Sequence, residues 1–179
     1  FSVTFPQTAP KTAKLAKGTG FTTTFDETLY SYVAIDDITA PVENGVAYFD
    51  DVSIYEGSLL TSTYVVDTSI TQKFIIQNSN VDVSSIRVKV YDSATSSNFN
   101  IYDYSDNILN IDANSSVFFI DEVEDERYQI FFGDGVLGKK LTDGQKVEVS
   151  YLVTNAEETN GAKNFLFNGV VTDIFGSAS

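Results

Sequence analysis

Three glycines and a lysine at close spacing form the strongest chemical signal in the sequence. Gly133, Gly135 and Gly138 match the G-x-G-x-x-G spacing of a dinucleotide-binding loop, and the following Lys139 nearly completes a phosphate-binding P-loop. Both loops hold phosphate at the N-terminus of a helix. Residues 141–153 instead contain a turn and then alternate between apolar and polar side chains, which predicts a strand. We therefore expect a connection between two strands, in which glycine relieves backbone strain, and no nucleotide site.

A run of acidic side chains is the second candidate for chemistry. Its members are Asp121, Glu122, Glu124, Asp125 and Glu126. Glycoside hydrolysis needs two carboxyl groups in unlike environments, one of them with a raised pKa. Carboxylates this close together, next to Arg127, are instead typical of an exposed connection between strands. We expect no catalytic residues here and no enzyme activity.

A third candidate is the set of oxygen-bearing side chains in residues 103–107. An EF-hand calcium loop requires Gly at its sixth position and Glu at its twelfth, where this sequence has Ile108 and Asn114. We therefore expect no metal site and no cofactor, although incidental binding of a hard cation by other acids stays open. The chain contains no His and no Cys, which excludes Ser-His-Asp catalysis and zinc–thiolate sites within it.

Charge is distributed unevenly along the 179 residues, which contain 11 Lys+Arg against 25 Asp+Glu, a net charge of −14. Residues 1–17 contain three lysines and no acid, whereas residues 18–72 contain nine acids and no Lys or Arg. The acidic stretch is typical of a solvated surface, with pairing to the basic arm as the alternative. We expect it to face a more basic partner, which charge reversal of Asp36 and Asp37 would test. The negative charge opposes nucleic-acid binding, and no apolar run approaches the ~18 residues of a transmembrane helix.

Apolar residues recur at every second position through most of the chain, the spacing of half-buried strands. The stripes lie at residues 21–25, 52–54, 60–66, 74–76, 86–90, 128–132 and 147–153. Turn-forming pairs such as Asp143-Gly144 separate them. We predict a mainly β fold with antiparallel sandwich or barrel-like sheets in two β subdomains and little helix. The best helix candidate is Thr12–Lys17.

The composition shifts divide the chain into four predicted segments. These are a basic arm or linker at 1–17, an N-terminal β subdomain at 18–70, a C-terminal β subdomain with the FGDG turn at 71–155, and a tail strand at 156–179. Because the chain begins at Phe1 and contains no Met, we expect it to be part of a longer protein.

The glycine turn belongs to a longer pattern. Tyr128-Gln-Ile-Phe-Phe-Gly-Asp-Gly-Val-Leu-Gly138 is followed by Leu141-Thr-Asp-Gly144, by Val147-Glu-Val-Ser-Tyr151 and by Asn160-Gly-Ala-Lys-Asn164. This order resembles the baseplate J-like family of contractile-tail proteins. Upstream, Lys17-Gly-Thr-Gly-Phe-Thr-Thr23 and Val52-Ser-Ile-Tyr-Glu-Gly57 resemble stretches of the same family. The motif residues are Tyr128, Phe132, Gly133, Asp134, Gly135, Gly138, Gly144 and Tyr151.

The resemblance implies a structural role. Proteins of this family build the wedge of a contractile phage tail baseplate, in a ring around the hub that rearranges when the sheath contracts. It implies a homo-oligomer, a dimer within a larger ring, that contacts other wedge subunits, namely gene products seven, twenty-five and fifty-three. It further implies synthesis in the host cytoplasm and a place in the virion, without membrane insertion or catalytic residues. The alternative is a carbohydrate- or receptor-binding β-module of a tail fibre or adhesin.

Overall fold

A computed structural model describes residues 1–5, 10–154 and 164–173. These residues form sixteen strands and no α-helix, with one 3-10 turn at Glu124–Glu126. The mainly β fold predicted from the alternation is therefore confirmed, and its sheets are curled into half-barrel and near-barrel forms. The strands are β1 (Ser2–Thr4), β2 (Thr12–Leu15), β3 (Gly20–Phe25), β4 (Thr28–Val33), β5 (Ile38–Glu43), β6 (Val46–Tyr48), β7 (Tyr55–Glu56), β8 (Ser58–Val65), β9 (Phe74–Ile76), β10 (Val81–Tyr91), β11 (Phe99–Tyr104), β12 (Val117–Val123), β13 (Arg127–Phe132), β14 (Lys146–Val153), β15 (Leu166–Phe167) and β16 (Val171–Asp173).

The first of two compact units is built from Phe1–Leu59 and Thr154–Ser179. It contains a five-stranded sheet in the order β1-β6-β5-β2-β16 and a four-stranded sheet in the order β15-β3-β4-β7. Its core contains small, aliphatic and aromatic side chains, among them Ala13, Leu15 and Phe21. Strands from both ends of the chain are needed for these sheets, because β16 pairs with β2 and β15 pairs with β3.

The predicted helix at Thr12–Lys17 is wrong, because Thr12–Leu15 form strand β2. Ala13 and Leu15 are fully buried while Lys14 is half-buried, which is a period of two and not the helical 3.6. The basic segment also pairs with the acidic stretch, since Lys14 Nζ lies 2.9 Å from Asp37 Oδ2. The alternative that arm and body pair with each other is thus realised at Asp37.

The second unit, Leu60–Val153, contains a seven-stranded sheet in the order β8-β14-β10-β11-β12-β13-β9. Most of its core residues come from the inward faces of the predicted stripes, among them Ile86, Val88, Val90, Ile130, Val147, Val149 and Tyr151, whereas Tyr102, Phe118 and Leu141 lie outside those stripes. Tyr64 on the edge strand β8 donates a hydrogen bond to the carbonyl of Ile75 on the other edge strand, at 2.8 Å. A side chain thus links the two edges of this curled sheet.

Two local expectations differ from the structure. Val52 and Ile54 lie outside any strand, although they alternate, because they pack against the core of the first unit without pairing to a neighbour. The pairing of β11 with β12 is parallel, whereas the predicted sheets are antiparallel. A parallel pair needs a long connection, and residues 105–116 supply it here.

The two units divide after Leu59, whereas the sequence places the subdomain boundary after residue 70. Strand β8 accounts for the difference, because it pairs with β14 in the seven-stranded sheet. Of the predicted tail, 164–173 contributes β15 and β16, while 155–163 and 174–179 lie outside the described residues. No helix in the described ranges has the length and hydropathy to cross a membrane.

Candidate functional site

The turn between β13 and β14 begins with a close approach of two glycines. Gly133 and Gly138 are both buried, and Gly135 donates its backbone N–H to the carbonyl of Gly138 at 3.0 Å. A Cβ atom on Gly133 would lie 2.5 Å from the Cα of Gly138, a distance that real side chains do not adopt. Gly135 and Gly138 have φ values of +93° and +85°, a region that favours glycine. The segment is therefore a tight connection into strand β14, as the sequence predicts.

Asp134 closes this turn through its side chain. Its Oδ1 accepts hydrogen bonds from the backbone N–H groups of Val136 at 2.8 Å and Leu137 at 2.9 Å. These bonds hold the pKa of the Asp134 carboxyl below its usual range, and the bond from Leu137 has a larger effect than that from Val136. The carboxylate thus satisfies backbone donors of its own turn, which is a structural task.

The long connection between β11 and β12 is joined to this turn by backbone hydrogen bonds. Gly138 donates to the carbonyl of Asp112 at 2.9 Å, and Lys139 donates to that of Ser115 at 2.8 Å. The Asp112 side chain accepts from the backbone of Asn114 at 2.8 Å, a bond that lowers the pKa of this carboxyl. We call residues 105–116 and 133–140 the paired loops.

The paired loops expose aliphatic side chains to solvent. Leu109 and Val136 are each 72% exposed, and Ile108 is 60% exposed. Exposed apolar area can mark a protein contact when it is contiguous, and here it lies on two loops that hydrogen-bond to each other. The signal in the sequence is the adjacent pair Ile108-Leu109 in a loop rich in Asp, Asn and Ser, and neither residue belongs to the predicted motif.

The predicted motif residues have different structural roles. Tyr128, Phe132 and Tyr151 belong to the core of the second unit or pack against it, and the rings of Phe132 and Phe74 meet edge to face at 5.2 Å. Gly144 has a φ of +76° and forms a separate turn before β14. Only the glycines of 133–138 and Asp134 lie together in the paired loops.

The acidic run is divided between a strand and a turn, and of its residues Glu124 lines a cavity of about 380 Å³ together with Lys73 and Arg127. Glu124–Glu126 form the exposed 3-10 turn between β12 and β13, while Asp121 and Glu122 belong to β12, so the connection is shorter than predicted. Asp125 Oδ2 pairs with Arg127 at 2.9 Å. Within the described residues, no group of three or more His, Cys, Asp or Glu side chains is placed to hold a metal ion.

The comparison with known families identifies first the class and then the family. Residues 60–160 match the family described as bacteriophage baseplate wedge protein gp6, third domain. This range begins with the second compact unit and includes the paired loops. Because the matching family is one of baseplate wedge proteins, the chain belongs to the structural proteins of the phage tail baseplate. Because the match covers more than half of the sequence, we conclude that the chain belongs to the gp6 baseplate wedge family.

Similarity to a curated relative extends into the first unit. The chain is 21% identical over 160 residues to the baseplate wedge protein gp6 of Enterobacteria phage T4. The similarity covers 81% of this chain but 23% of the T4 protein. The baseplate part of the sequence resemblance is thus confirmed, whereas the J-like assignment stays a prediction.

Proposed function

We propose that this chain is part of a structural subunit of a contractile phage tail baseplate wedge. The subunit assembles through protein–protein contacts into a ring around the hub and takes part in the rearrangement that accompanies contraction. The observation that supports this function best is the family match at residues 60–160, which coincides with a compact unit that has its own core.

The paired loops are the contact surface that we assign to this function. Full burial of one large aliphatic side chain contributes roughly 1.5–3 kcal/mol, so Leu109 and Val136 together can supply much of a local contact. The backbone hydrogen bonds between the loops hold the two loop backbones together before binding, which lowers the backbone entropy lost on association. A rigid contact of this kind suits a part that transmits movement within a ring.

The finer parts of the proposal concern partners and family. We propose that the subunit is a homo-oligomer, a dimer within a larger ring, and that it contacts the wedge gene products seven, twenty-five and fifty-three. We further propose that it is made in the host cytoplasm and that its FGDG turn relates it to the baseplate J-like proteins. The order of residues 128–151 supports the last point.

Immunogold labelling of particles tests the proposed function. An antibody against this chain, shown to bind the native protein, is applied to intact and contracted particles from the source lysate. We expect label on the baseplate, and antibody pre-absorbed with the purified chain should give none. Label confined to fibres, or no label on any particle, would contradict the wedge assignment.

The second candidate, a carbohydrate- or receptor-binding module, is favoured by one cavity in the first unit. It measures about 490 Å³, and its lining includes Phe1, Phe21, Phe49, Phe165 and Phe167. Its rings contact one another, with Phe1 and Phe49 stacked at 5.2 Å, and the lining offers few polar groups to hold hydroxyls. Binding on a glycan array, lost in a Phe165→Ala variant, would move this candidate ahead of the wedge.

A further inference from the structure

The solvent-facing side of three neighbouring strands in the second unit combines cations with apolar and aromatic side chains. We call it the cationic–aromatic face, and its residues are Lys89, Tyr91, Phe99, Ile101, Lys146 and Glu148. The register of β11, β10 and β14 arranges them in two rows across the sheet. One row contains Ile101, Lys89 and Glu148, and the other contains Phe99, Tyr91 and Lys146.

The side chains of this face hold one another in place. Lys146 Nζ lies 3.7 Å from the centroid of the Tyr91 ring, and Lys89 Nζ lies 4.5 Å from that of Phe99. The rings of Tyr91 and Phe99 are 5.3 Å apart, and the Tyr91 hydroxyl donates to Glu148 at 3.2 Å. Such cation–π and ring contacts position the two ammonium groups without neutralising them.

The charge of this face is opposite to that of the whole chain. The face contains the two ammonium groups of Lys89 and Lys146 and one carboxylate, that of Glu148, whereas the whole chain has a net charge of −14. Phe99 and Ile101 are 42% and 60% exposed, which adds apolar area to the positive charge. The chemistry that fits is therefore an anionic group with an aliphatic side chain beside it.

The first unit presents that combination at the end of the β3–β4 hairpin. The neighbouring strands reach only the base of the hairpin, since β15 pairs with residues 21–22 and β7 with residues 32–33. Residues 24–29 extend beyond both of these pairings, with Asp26 and Glu27 in the turn. Both acids are exposed, and Leu29 beside them is 66% exposed. We call Asp26, Glu27 and Leu29 the hairpin tip.

We propose that the hairpin tip of one copy docks on the cationic–aromatic face of a second copy. The two carboxylates meet the ammonium groups of Lys89 and Lys146, and Leu29 covers the exposed side of Phe99 or Ile101. Three strands span about 10 Å across the sheet, which is enough for a two-stranded hairpin. The contact joins two different surfaces, so it is heterologous and adds copies head to tail. It rests on the homo-oligomer part of the proposed function.

Sedimentation velocity of the 179-residue chain over a range of concentrations tests the contact. We expect wild-type chain to associate, and both a Lys89→Glu/Lys146→Glu variant and an Asp26→Lys/Glu27→Lys variant to associate at least about tenfold more weakly. An equimolar mixture of the two variants should associate again, because each supplies the surface that the other has lost. Recovery in the mixture is the signature of a heterologous contact.

Two further variants separate the proposed contact from an effect of net charge, and a measurement of secondary structure excludes loss of the fold. Lys11→Glu/Lys73→Glu changes the net charge as much as the face variant does, at exposed positions outside both surfaces, and should associate like wild type. Leu29→Ser leaves every charge in place, avoids the left-handed turn positions and should weaken association. Far-UV circular dichroism of each variant verifies the β fold.

Three results would overturn the inference. They are a wild-type chain that stays monomeric up to about 1 mM, association that neither charge variant weakens, and a mixture that fails to recover. A monomeric wild type that binds a glutamate-rich peptide through Lys89 and Lys146 would overturn the second copy as the occupant. Baseplate label with a monomeric chain would reject this inference alone, whereas absence of label would reject the proposed function.

Discussion

At the scale of residues, Gly133 and Gly135 are needed for different physical reasons. Gly133 has an ordinary φ but no space for a Cβ, because Gly138 lies against it. Gly135 has space, since its Cβ would lie 3.7 Å from the Lys140 side chain, but its φ of +93° strains any L residue. Glycine is therefore required at Gly133 for steric reasons and at Gly135 for its backbone conformation.

We predict that Gly133→Ala lowers the free energy of unfolding by about 3 kcal/mol or more, because backbone must move to admit the methyl group. Gly135→Ala should cost about 1–2 kcal/mol. Gly20→Ala is the matched control, since a Cβ there meets nothing within 4 Å. Urea unfolding measures all three, and equal stability of the Gly133 and Gly20 variants would contradict the close approach.

Asp134 gives a prediction for pH. Its pKa is lowered from 3.8 by backbone hydrogen bonds, so the unfolded chain takes up a proton at a higher pH than the folded chain. The stabilisation is therefore present above pH 3.8 and is lost as the pH falls through the lower pKa of the folded state. We expect the difference in urea midpoint between wild type and Asp134→Ala to shrink between about pH 5 and about pH 2. A difference that stays constant over this range would argue against the charged turn.

At the scale of elements, the basic N-terminal segment behaves as a strand of a sheet. The sequence presents it as an arm because three lysines stand out against the acids that follow. The structure buries Ala13 and Leu15 between β5 and β16, and Lys14 remains near the surface to meet Asp37. Charge reversal of Asp37 would therefore disturb the first unit itself, which makes the hairpin tip the cleaner place to test the acidic stretch.

The paired loops are the element that we predict to matter most for assembly. Leu109→Ser and Val136→Ser should leave the free energy of unfolding within about 0.5 kcal/mol of wild type, because both side chains are exposed. Incorporation into baseplates should fall at least about tenfold, because each variant removes an apolar side chain from the proposed contact.

Ile70→Ser is the control for the loop variants. Ile70 is 61% exposed and lies outside the paired loops, so its loss should leave incorporation unchanged. Quantitative complementation of a phage that lacks the subunit measures all three variants. Equal incorporation of all three would mean that the paired loops do not contact a neighbour.

At the scale of the whole molecule, the second unit is continuous in sequence and the first is not. The first unit needs both ends of the chain, since β2 pairs with β16 and β3 with β15. The second unit lies within Leu60–Val153 and has a separate core. Its agreement with the family match at 60–160 indicates that one physical unit corresponds to one family domain.

We predict that residues 58–154 fold when expressed alone. The fragment contains every strand of the seven-stranded sheet and its core, and chains of this size fold without disulfides. Far-UV circular dichroism and a cooperative urea transition are the measurements, with the 179-residue chain as reference. An unfolded fragment would mean that the first unit is required for the second.

The sequence alone determined the local features of this protein. The period-two stripes at 86–90, 128–132 and 147–153 predicted strands because alternation is a property of neighbouring residues. The order of residues 128–151 indicates the baseplate class, in agreement with the family match at 60–160. The turn after β13 followed from Gly133 and Gly135, whose type limits the backbone locally.

Only the tertiary structure decided which segments contact each other and which strands pair. The burial of Gly133 against Gly138, the docking of residues 105–116 on that turn and the parallel pairing of β11 with β12 depend on contacts that no local pattern encodes. Strand β2 is not evident from the sequence for the same reason, since its partner β16 lies near the other end of the chain. Strand register fixes which exposed side chains become neighbours, and it is set by the packing of the whole sheet.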